Sequence, residues 1–408
     1  MTTTAFAPDV PAKPRTTSKA PLVTRPLLLR FVSIVGSATS FYLPLSVVPL
    51  YAKSSGSDAG AGFATGALLL ATVSVELITP RLVSRVGYRL ALAIGLVLLG
   101  LPALGLLASS SLAVILAVSL VRGAGFAIVT VAGGALTATL IPAERRGEGL
   151  ALTGIVSGVP ALVSLPLGVW AATRWGFAPI FVATAAAALL GVAVVPGMPD
   201  RKADRGTADR AHGVLSALRN PGLTRPAALF SASTMAVGVL VTFLPLAVSA
   251  KSAGVVTIAL FAQPAATTLA RLGAGRIGDR HGQACLLGPG IALSVAGMAS
   301  LAATGTPALV IGGAAVFGAG FGLLGNATLA LMYARTTRAG YSAVSAVWNA
   351  AYDAGMGAGA IGMGLVTGHL GYPAMFGLTA ALILPALILA RRERPRTSYR
   401  GYRGRRPA

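Results

Sequence analysis

Long apolar runs separated by short polar clusters set the pattern of this chain. A helix needs about 20 apolar residues to cross the hydrocarbon of a bilayer. Twelve runs meet that length: 27–51, 61–82, 89–108, 112–141, 149–173, 178–197, 226–250, 255–274, 284–304, 308–334, 341–368 and 372–390. Only Ser109, Ser110 and Ser111 part runs 3 and 4, and residues 304–307 part runs 9 and 10. The longest polar break, 199–225, divides the chain into two sets of six. The pattern predicts an all-α membrane protein of twelve transmembrane helices in two pseudo-symmetric six-helix bundles. Its parts are a disordered tail over 1–26, a bundle over 27–198, a linker over 199–225, a bundle over 226–391 and a basic tail over 392–408. Residues 211–218 within the linker form a short amphipathic stretch, suited to a membrane surface or to a plain linker helix.

Composition agrees with lipid as the solvent. Of 408 residues, 55% are hydrophobic and 11% charged, and the mean hydropathy is +0.77. Soluble proteins carry about 25% charged residues. The net charge of +22 would suit nucleic acid, but its distribution does not. The basic residues fall in clusters between apolar runs, and the aromatic residues show no stacking pattern, so no nucleic-acid partner is expected. With the N-terminus inside, 29 of the 33 basic residues fall on the inner side and Lys53, Arg174 and Lys251 on the outer, while Arg122 lies within run 4. That asymmetry places both termini in the cytoplasm, and the plasma membrane is the expected location. The basic tails suit topology or anionic lipid.

Catalytic chemistry has little to work with. Cys285, the sole cysteine, sits in an apolar run and reads as a small buried hydrophobe. His212, His281 and His369 lack metal-ligand spacing. No nucleophile triad is present, so neither an enzyme, a metal nor a cofactor is expected.

The halves repeat. Arg85-Val-Gly87 matches Arg280-His-Gly282 at an interval of 195, and Gly123-Ala-Gly125-Phe126 matches Gly318-Ala-Gly320-Phe321 at the same interval. Leu43-Pro-Leu45 resembles Leu244-Pro-Leu246. Repeats of this size mark secondary transporters, whose halves rock about a site near the midplane. The stretch 271–282, RLGAGRIGDRHG, reads as a tight hairpin turn between runs 8 and 9, and 80–89, PRLVSRVGYR, as its weaker copy.

On these residues the chain resembles a major facilitator superfamily transporter over nearly all of its length. The loop signature G-x-x-x-D-R-x-G-R/K fits Gly275, Asp279, Arg280 and Gly282. Its first-half copy has Pro80 and Ser84 in place of Gly and Asp but keeps Arg85, Gly87 and Arg89. The resemblance implies a latch at Gly275, Asp279, Arg280, Gly282, Arg85 and Gly87. Within the superfamily it is most similar to proton-driven drug and metabolite exporters, through Arg122-Gly-Ala-Gly125, Pro142-Ala-Glu-Arg145-Arg146-Gly147, and a degenerate glycine and proline motif at Gly154, Gly158, Pro160 and Pro166-Leu-Gly168.

The candidate chemistry is sparse. Asp353, about 18 Å into its helix at 1.5 Å per residue, sits near the midplane, where a carboxylate costs roughly 2.5–3.5 kcal/mol. It reads as a proton carrier or as a fixed structural contact, with Asn349 one turn earlier. Glu76 forms a gating salt bridge with Arg271 or Arg81, carries a proton, or contacts substrate. Arg122, too deep to snorkel, holds Asp353 ionised or serves backbone carbonyls. Glycines of runs 5 and 11 suit close helix packing between the halves. By the resemblance, Phe41, Tyr42, Thr130, Phe243, Asn326 and Asn349 line the substrate cavity. So apolar a cavity suits a lipophilic compound better than a sugar or phosphate. The leading expectation is a proton antiporter that exports a lipophilic drug-like compound or metabolite and works as a monomer. The alternatives are a proton symporter or facilitator for a small organic nutrient, and a non-transporting membrane sensor on a carrier fold.

Overall fold

The computed structural model describes residues 23–54, 56, 59–142, 145–199, 219–249, 252–336 and 341–393. The amphipathic stretch 211–218, and most of both tails, lie outside the described residues. The described chain is nearly all helical. Span 1 is Arg25–Tyr42 followed by Val47–Ser54. Spans 2 and 3 run together as Gly60–Gly100. Span 4 is Leu112–Leu140, span 5 Arg146–Trp175 and span 6 Ala178–Ala193. Span 7 is Pro221–Ala247, span 8 Ala253–His281, span 9 Leu287–Leu301 and span 10 Pro307–Ala334. Spans 11 and 12 run together as Tyr341–Ile383, and Ala386–Glu393 completes span 12.

Two of these helical stretches are too long for one crossing. Gly60–Ala108 has 49 residues and Ala343–Glu393 has 51. At 1.5 Å per residue each measures about 75 Å, against roughly 30 Å of hydrocarbon. Each is divided by a glycine with positive φ, Gly87 at 81° and Gly371 at 71°. Side chains other than glycine rarely take that conformation. Gly176 at 81° and Gly282 at 83° divide spans 5 from 6 and 8 from 9 in the same way. Gly87 and Gly282 are 195 residues apart, and so are Gly176 and Gly371. The second pair extends the repeat: Trp175-Gly-Phe177 stands opposite Leu370-Gly-Tyr372.

Packing repeats at the same interval. Thr72 Oγ1 donates to the Gly123 carbonyl at 3.2 Å, and Thr267 Oγ1 to the Gly318 carbonyl at 2.9 Å. A Cβ at Gly123 would strike the Leu68 carbonyl, and one at Gly318 the Gln263 carbonyl. Spans 2 and 4, and spans 8 and 10, therefore approach backbone to backbone, as small residues permit in lipid. The outer surface is apolar, with Leu190, Leu269 and Leu272 each about two-thirds exposed, as a lipid-facing surface requires.

Twelve crossings put Arg25 and Glu393 at one face, the terminal face; the other is the far face. The halves meet toward the far face. A Cβ at Gly62 of span 2 would strike Ala360 of span 11, and one at Gly66 would strike Ile361. Ser46 Oγ donates to the Val241 carbonyl at 2.6 Å, Thr242 Oγ1 to Thr65 Oγ1 at 3.0 Å, and Lys53 Nζ to the Tyr372 hydroxyl at 2.8 Å. On the terminal face a polar cluster lies within one half. Arg335 pairs with buried Glu393 and donates to the Gly222 carbonyl at 2.9 Å, pinning spans 7, 10 and 12.

Several expectations change. The stretch 271–282 is not a tight turn: span 8 stays helical to His281, and the chain turns at Gly282. Span 2 likewise continues through Pro80 to the kink at Gly87. In both places the apolar pattern ends at the membrane, while the polar helix continues beyond it. Cys285 is exposed, because it follows that turn. Span 7 begins at Pro221, where the Asn220 side chain caps it by accepting from the Gly222 amide at 2.9 Å. The two Leu-Pro-Leu triplets differ in role: Pro44 lies in the break of span 1, and Pro245 inside the last turn of span 7. Gly355 and Gly359 of span 11 pack on span 7, but Gly154 and Gly158 of span 5 have nothing within 4 Å of a built Cβ.

Candidate functional site

The terminal halves of spans 1, 2, 7, 8, 10 and 11 surround a central region where polar side chains gather. Asp353 of span 11 is 6% exposed, yet no protein group among the described residues hydrogen-bonds its carboxyl. A structural carboxylate at that depth would be held by donors. Glu76 of span 2, half-buried, lies within electrostatic reach of Asp353 from the opposite half. Tyr42 of span 1 and Tyr352 of span 11 each lie within electrostatic reach of both Asp353 and Arg271.

Arg271 of span 8 does not meet Glu76 as expected. Its guanidinium sits over the Phe321 ring at 5.9 Å, and a Cβ at Gly325 would approach its Nη2 at 3.3 Å. Among the described residues no carboxylate pairs with it. It is exposed, in the last turn of apolar run 8.

Aromatic rings form one wall. Phe230 of span 7 stacks on Trp348 of span 11 with centroids 4.3 Å apart and planes 13° from parallel. Phe230 also stacks on Phe321 of span 10 at 5.6 Å, and Tyr352 lies 6.0 Å from Phe230. Trp348 Nε1 donates to Thr328 Oγ1 at 3.3 Å. In the first half Phe126, the counterpart of Phe321, stacks on Phe41 at 3.7 Å, and Tyr42 meets Phe41 edge-on at 5.0 Å.

The other expected residues divide. Tyr42, Thr130, Asn326 and Asn349 are half-buried, as a cavity wall requires. Phe41 is 4% exposed and lies behind Tyr42 against Phe126. Phe243 is fully buried: its stretch of span 7 packs on the first half, where neighbouring Thr242 bonds Thr65. It is core rather than cavity wall.

Arg122 is bonded away from Asp353. Its Nε donates to the Leu99 carbonyl at 2.9 Å and its Nη2 to the Ser40 carbonyl at 2.7 Å. At 2% exposure it ties span 4 to spans 1 and 3. Arg30, expected among the inner surface charges, is also buried. It donates to the Gly133 carbonyl, Thr137 Oγ1 and Ser33 Oγ at 3.1–3.3 Å.

Among the latch residues, Gly87 and Gly282 make the turns. Arg85 lies in the last turn of span 2, and Gly275, Asp279 and Arg280 lie in the last turns of span 8. Asp279 and Arg280 are exposed. No group of three His, Cys, Asp or Glu among the described residues could hold a metal.

Sequence reasoning passed over Phe230, Phe321, Trp348 and Tyr352. The signal was present: Trp348, Asn349, Tyr352 and Asp353 put two aromatic rings, an amide and a carboxyl within six residues of one apolar helix. Residues four apart share a helix face.

Comparison with known proteins agrees with this architecture. The sequence profile described as Major Facilitator Superfamily matches residues 30–260 and 230–406. The fold is similar to that of the nucleoside transporter NupG, with a TM-score of 0.70 and 14% identity over 90% of this chain and 98% of that one. It is also similar to the xylose transporter XylE from E. coli in a partially occluded inward open conformation. There the TM-score is 0.71, with 13% identity over 91% and 98% of the two chains. A third likeness is to the peptide transporter POT, with a TM-score of 0.71 and 14% identity over 90% and 93%. A search of curated proteins found no match. The chain belongs to the major facilitator superfamily and has the fold of its transporters.

Proposed function

We propose that this member of the major facilitator superfamily is a proton-coupled antiporter that exports a lipophilic, ring-bearing compound by alternating access. The observation that carries the reading is Asp353: a buried carboxyl with no hydrogen-bond donor among the described residues, within electrostatic reach of Glu76 of the other half and next in sequence to Tyr352 of the aromatic cluster. A carboxyl so placed can hold a proton in one conformer and release it in another. A substrate that needs the ionised form displaces a proton, and that competition is the essence of antiport.

The other residues support the cycle. Contacts between the halves gather toward the far face, while Glu76, Arg271, Asn326 and Asn349 keep accessible surface nearer the terminal face. We read this conformer as open to the terminal face. The basic clusters favour a cytoplasmic terminal face by the positive-inside rule, and the plasma membrane is the location that export requires. Phe230, Phe321, Trp348 and Tyr352 offer ring faces to an apolar compound, and stacked or edge-on aromatic pairs contribute about 0.5–1.5 kcal/mol each. Arg122 acts as a positioning residue for spans 1, 3 and 4. Gly87 and Gly282 act with Arg85, Gly275, Asp279 and Arg280 as the hinge and latch region of the terminal face.

A second reading, uptake of a small organic nutrient by symport or facilitation, is favoured by the half-buried amides Asn326 and Asn349, which suit a hydrogen-bonding solute. One experiment separates the two. Purified protein in weakly buffered detergent is mixed with a panel of lipophilic dyes and with small nutrients, and a pH indicator follows protons. Release on dye binding in the wild type, absent in Asp353→Asn, supports antiport. Proton uptake on nutrient binding would replace it with symport.

A further inference from the structure

The central region is asymmetric in charge, and the proposed proton site accounts for only one side of it. Asp353 and Glu76 stand on spans 11 and 2. Arg271 stands on span 8, with Tyr42 and Tyr352 near both Arg271 and Asp353. A guanidinium inside a membrane span is rare and costly, and is retained where it has a partner or a function. Arg30 and Arg122 meet that rule through carbonyl and hydroxyl acceptors. Arg271, exposed in the last turn of apolar run 8, differs: among the described residues it has no carboxylate and no hydrogen-bond acceptor, and its guanidinium sits over the face of Phe321 at 5.9 Å. Its planar fork of five donors is the shape that a carboxylate or similar planar anion engages in two parallel bonds.

Glycine makes room for it. Gly325 lies one turn from Phe321 on span 10, and its missing side chain leaves space for Arg271 Nη2 and the Phe230 ring. A guanidinium, a ring wall and a pair of carboxyls therefore converge from five spans.

We propose that Arg271 is an anion anchor and that the substrate is amphoteric: a flat aromatic body carrying an acidic group for Arg271 and a basic group for the Asp353 and Glu76 side. The inference rests on the antiport reading and deepens it by naming the substrate class. The aromatic body lies along Phe230, Phe321, Trp348 and Tyr352. The acidic group takes the empty fork of Arg271, and the basic group takes the place of the proton. A compound with both groups offsets the field of both walls when it enters, whereas a simple cation meets Arg271 as a like charge.

The test uses the full chain in nanodiscs and a cationic xanthene dye in two forms, its free carboxylic acid and its ethyl ester. The two share one aromatic body and differ in the acidic group. Binding is read from dye anisotropy. A charge-assisted hydrogen-bond pair corresponds to a preference of roughly 10- to 100-fold for the acid. In Arg271→Gln the ratio of acid to ester affinity falls toward one. In Arg271→Lys, which keeps the charge but not the fork, part of it persists. Equal binding of acid and ester to the wild type overturns the proposal, and so does a ratio that survives Arg271→Gln. Failure of both dyes to bind overturns the substrate class. The antiport reading is judged separately, by proton release in Asp353→Asn against wild type over the wider compound panel.

Discussion

Ser46 donates its hydroxyl hydrogen to the Val241 carbonyl at 2.6 Å, and the two residues are 195 positions apart. That interval is the one that relates Gly87 to Gly282 and Gly176 to Gly371. The two halves of the repeat thus touch each other at positions one repeat apart, where span 1 breaks after Tyr42. Thr65 with Thr242 and Lys53 with Tyr372 continue the contact toward the far face. An alternating carrier must part these groups to open there.

The first prediction concerns that closure. Lys53 also lies 5.2 Å from the Tyr372 ring centroid, so Tyr372→Phe removes the hydroxyl acceptor and keeps the ring. A partly exposed bond of this kind contributes about 1 kcal/mol. Tyr372→Phe is expected to raise the far-face-open population about fivefold, read as a spin-label distance between the far ends of spans 1 and 7. An unchanged distance distribution would exclude this bond from the gate.

Two glycines test the repeat. Gly123→Ala and Gly318→Ala each drive a methyl into a facing carbonyl, of Leu68 and Gln263. Overpacking typically costs about 1–3 kcal/mol. Both variants should melt lower than wild type by similar amounts, whereas Gly134→Ala, with nothing within 4 Å of its built Cβ, should not. A large difference between the first two would show that spans 2 and 4 are not packed like spans 8 and 10.

Gly158 gives a conformational counterpart. It is exposed and uncrowded in this conformer. If span 5 closes against span 8 when the terminal face shuts, Gly158→Leu leaves folding intact and slows turnover about tenfold or more. The readout is transport rate against thermal stability. Full turnover in the variant would place Gly158 on the lipid side throughout the cycle.

Arg122 separates two roles. Leaving a buried carbonyl without its donor costs about 1–3 kcal/mol, and Arg122 serves the carbonyls of Leu99 and Ser40. Arg122→Ala is therefore expected to lower stability and transport together. Loss of proton coupling at wild-type stability would instead restore Arg122 to the proton path.

Much of the fold was legible because lipid imposes a length rule that hydropathy reads directly. The repeat was legible where short glycine motifs survive, at Arg85-Val-Gly87 and Gly123-Ala-Gly125. It was missed at Gly176 and Gly371, where the neighbouring side chains have diverged and only the backbone need, a positive φ, is shared. Hairpins were misread at 271–282 because helices do not stop where the hydrocarbon stops. The site was less legible. Asp353 and Glu76 stand out in any apolar run, but partners do not. Arg122 bonds carbonyls, which carry no sequence signal, and Arg271 faces the Phe321 ring of span 10, itself packed with rings of spans 7 and 11.

The central claim is that Asp353 carries the exchanged proton. Everted membrane vesicles are energised to an acid interior, and a pH probe follows the gradient as lipophilic and amphoteric compounds are added. The account predicts that at least one compound dissipates the gradient in wild type, that Asp353→Asn abolishes the response at equal protein level, and that Glu76→Gln weakens it. Dissipation that persists undiminished in Asp353→Asn would contradict it.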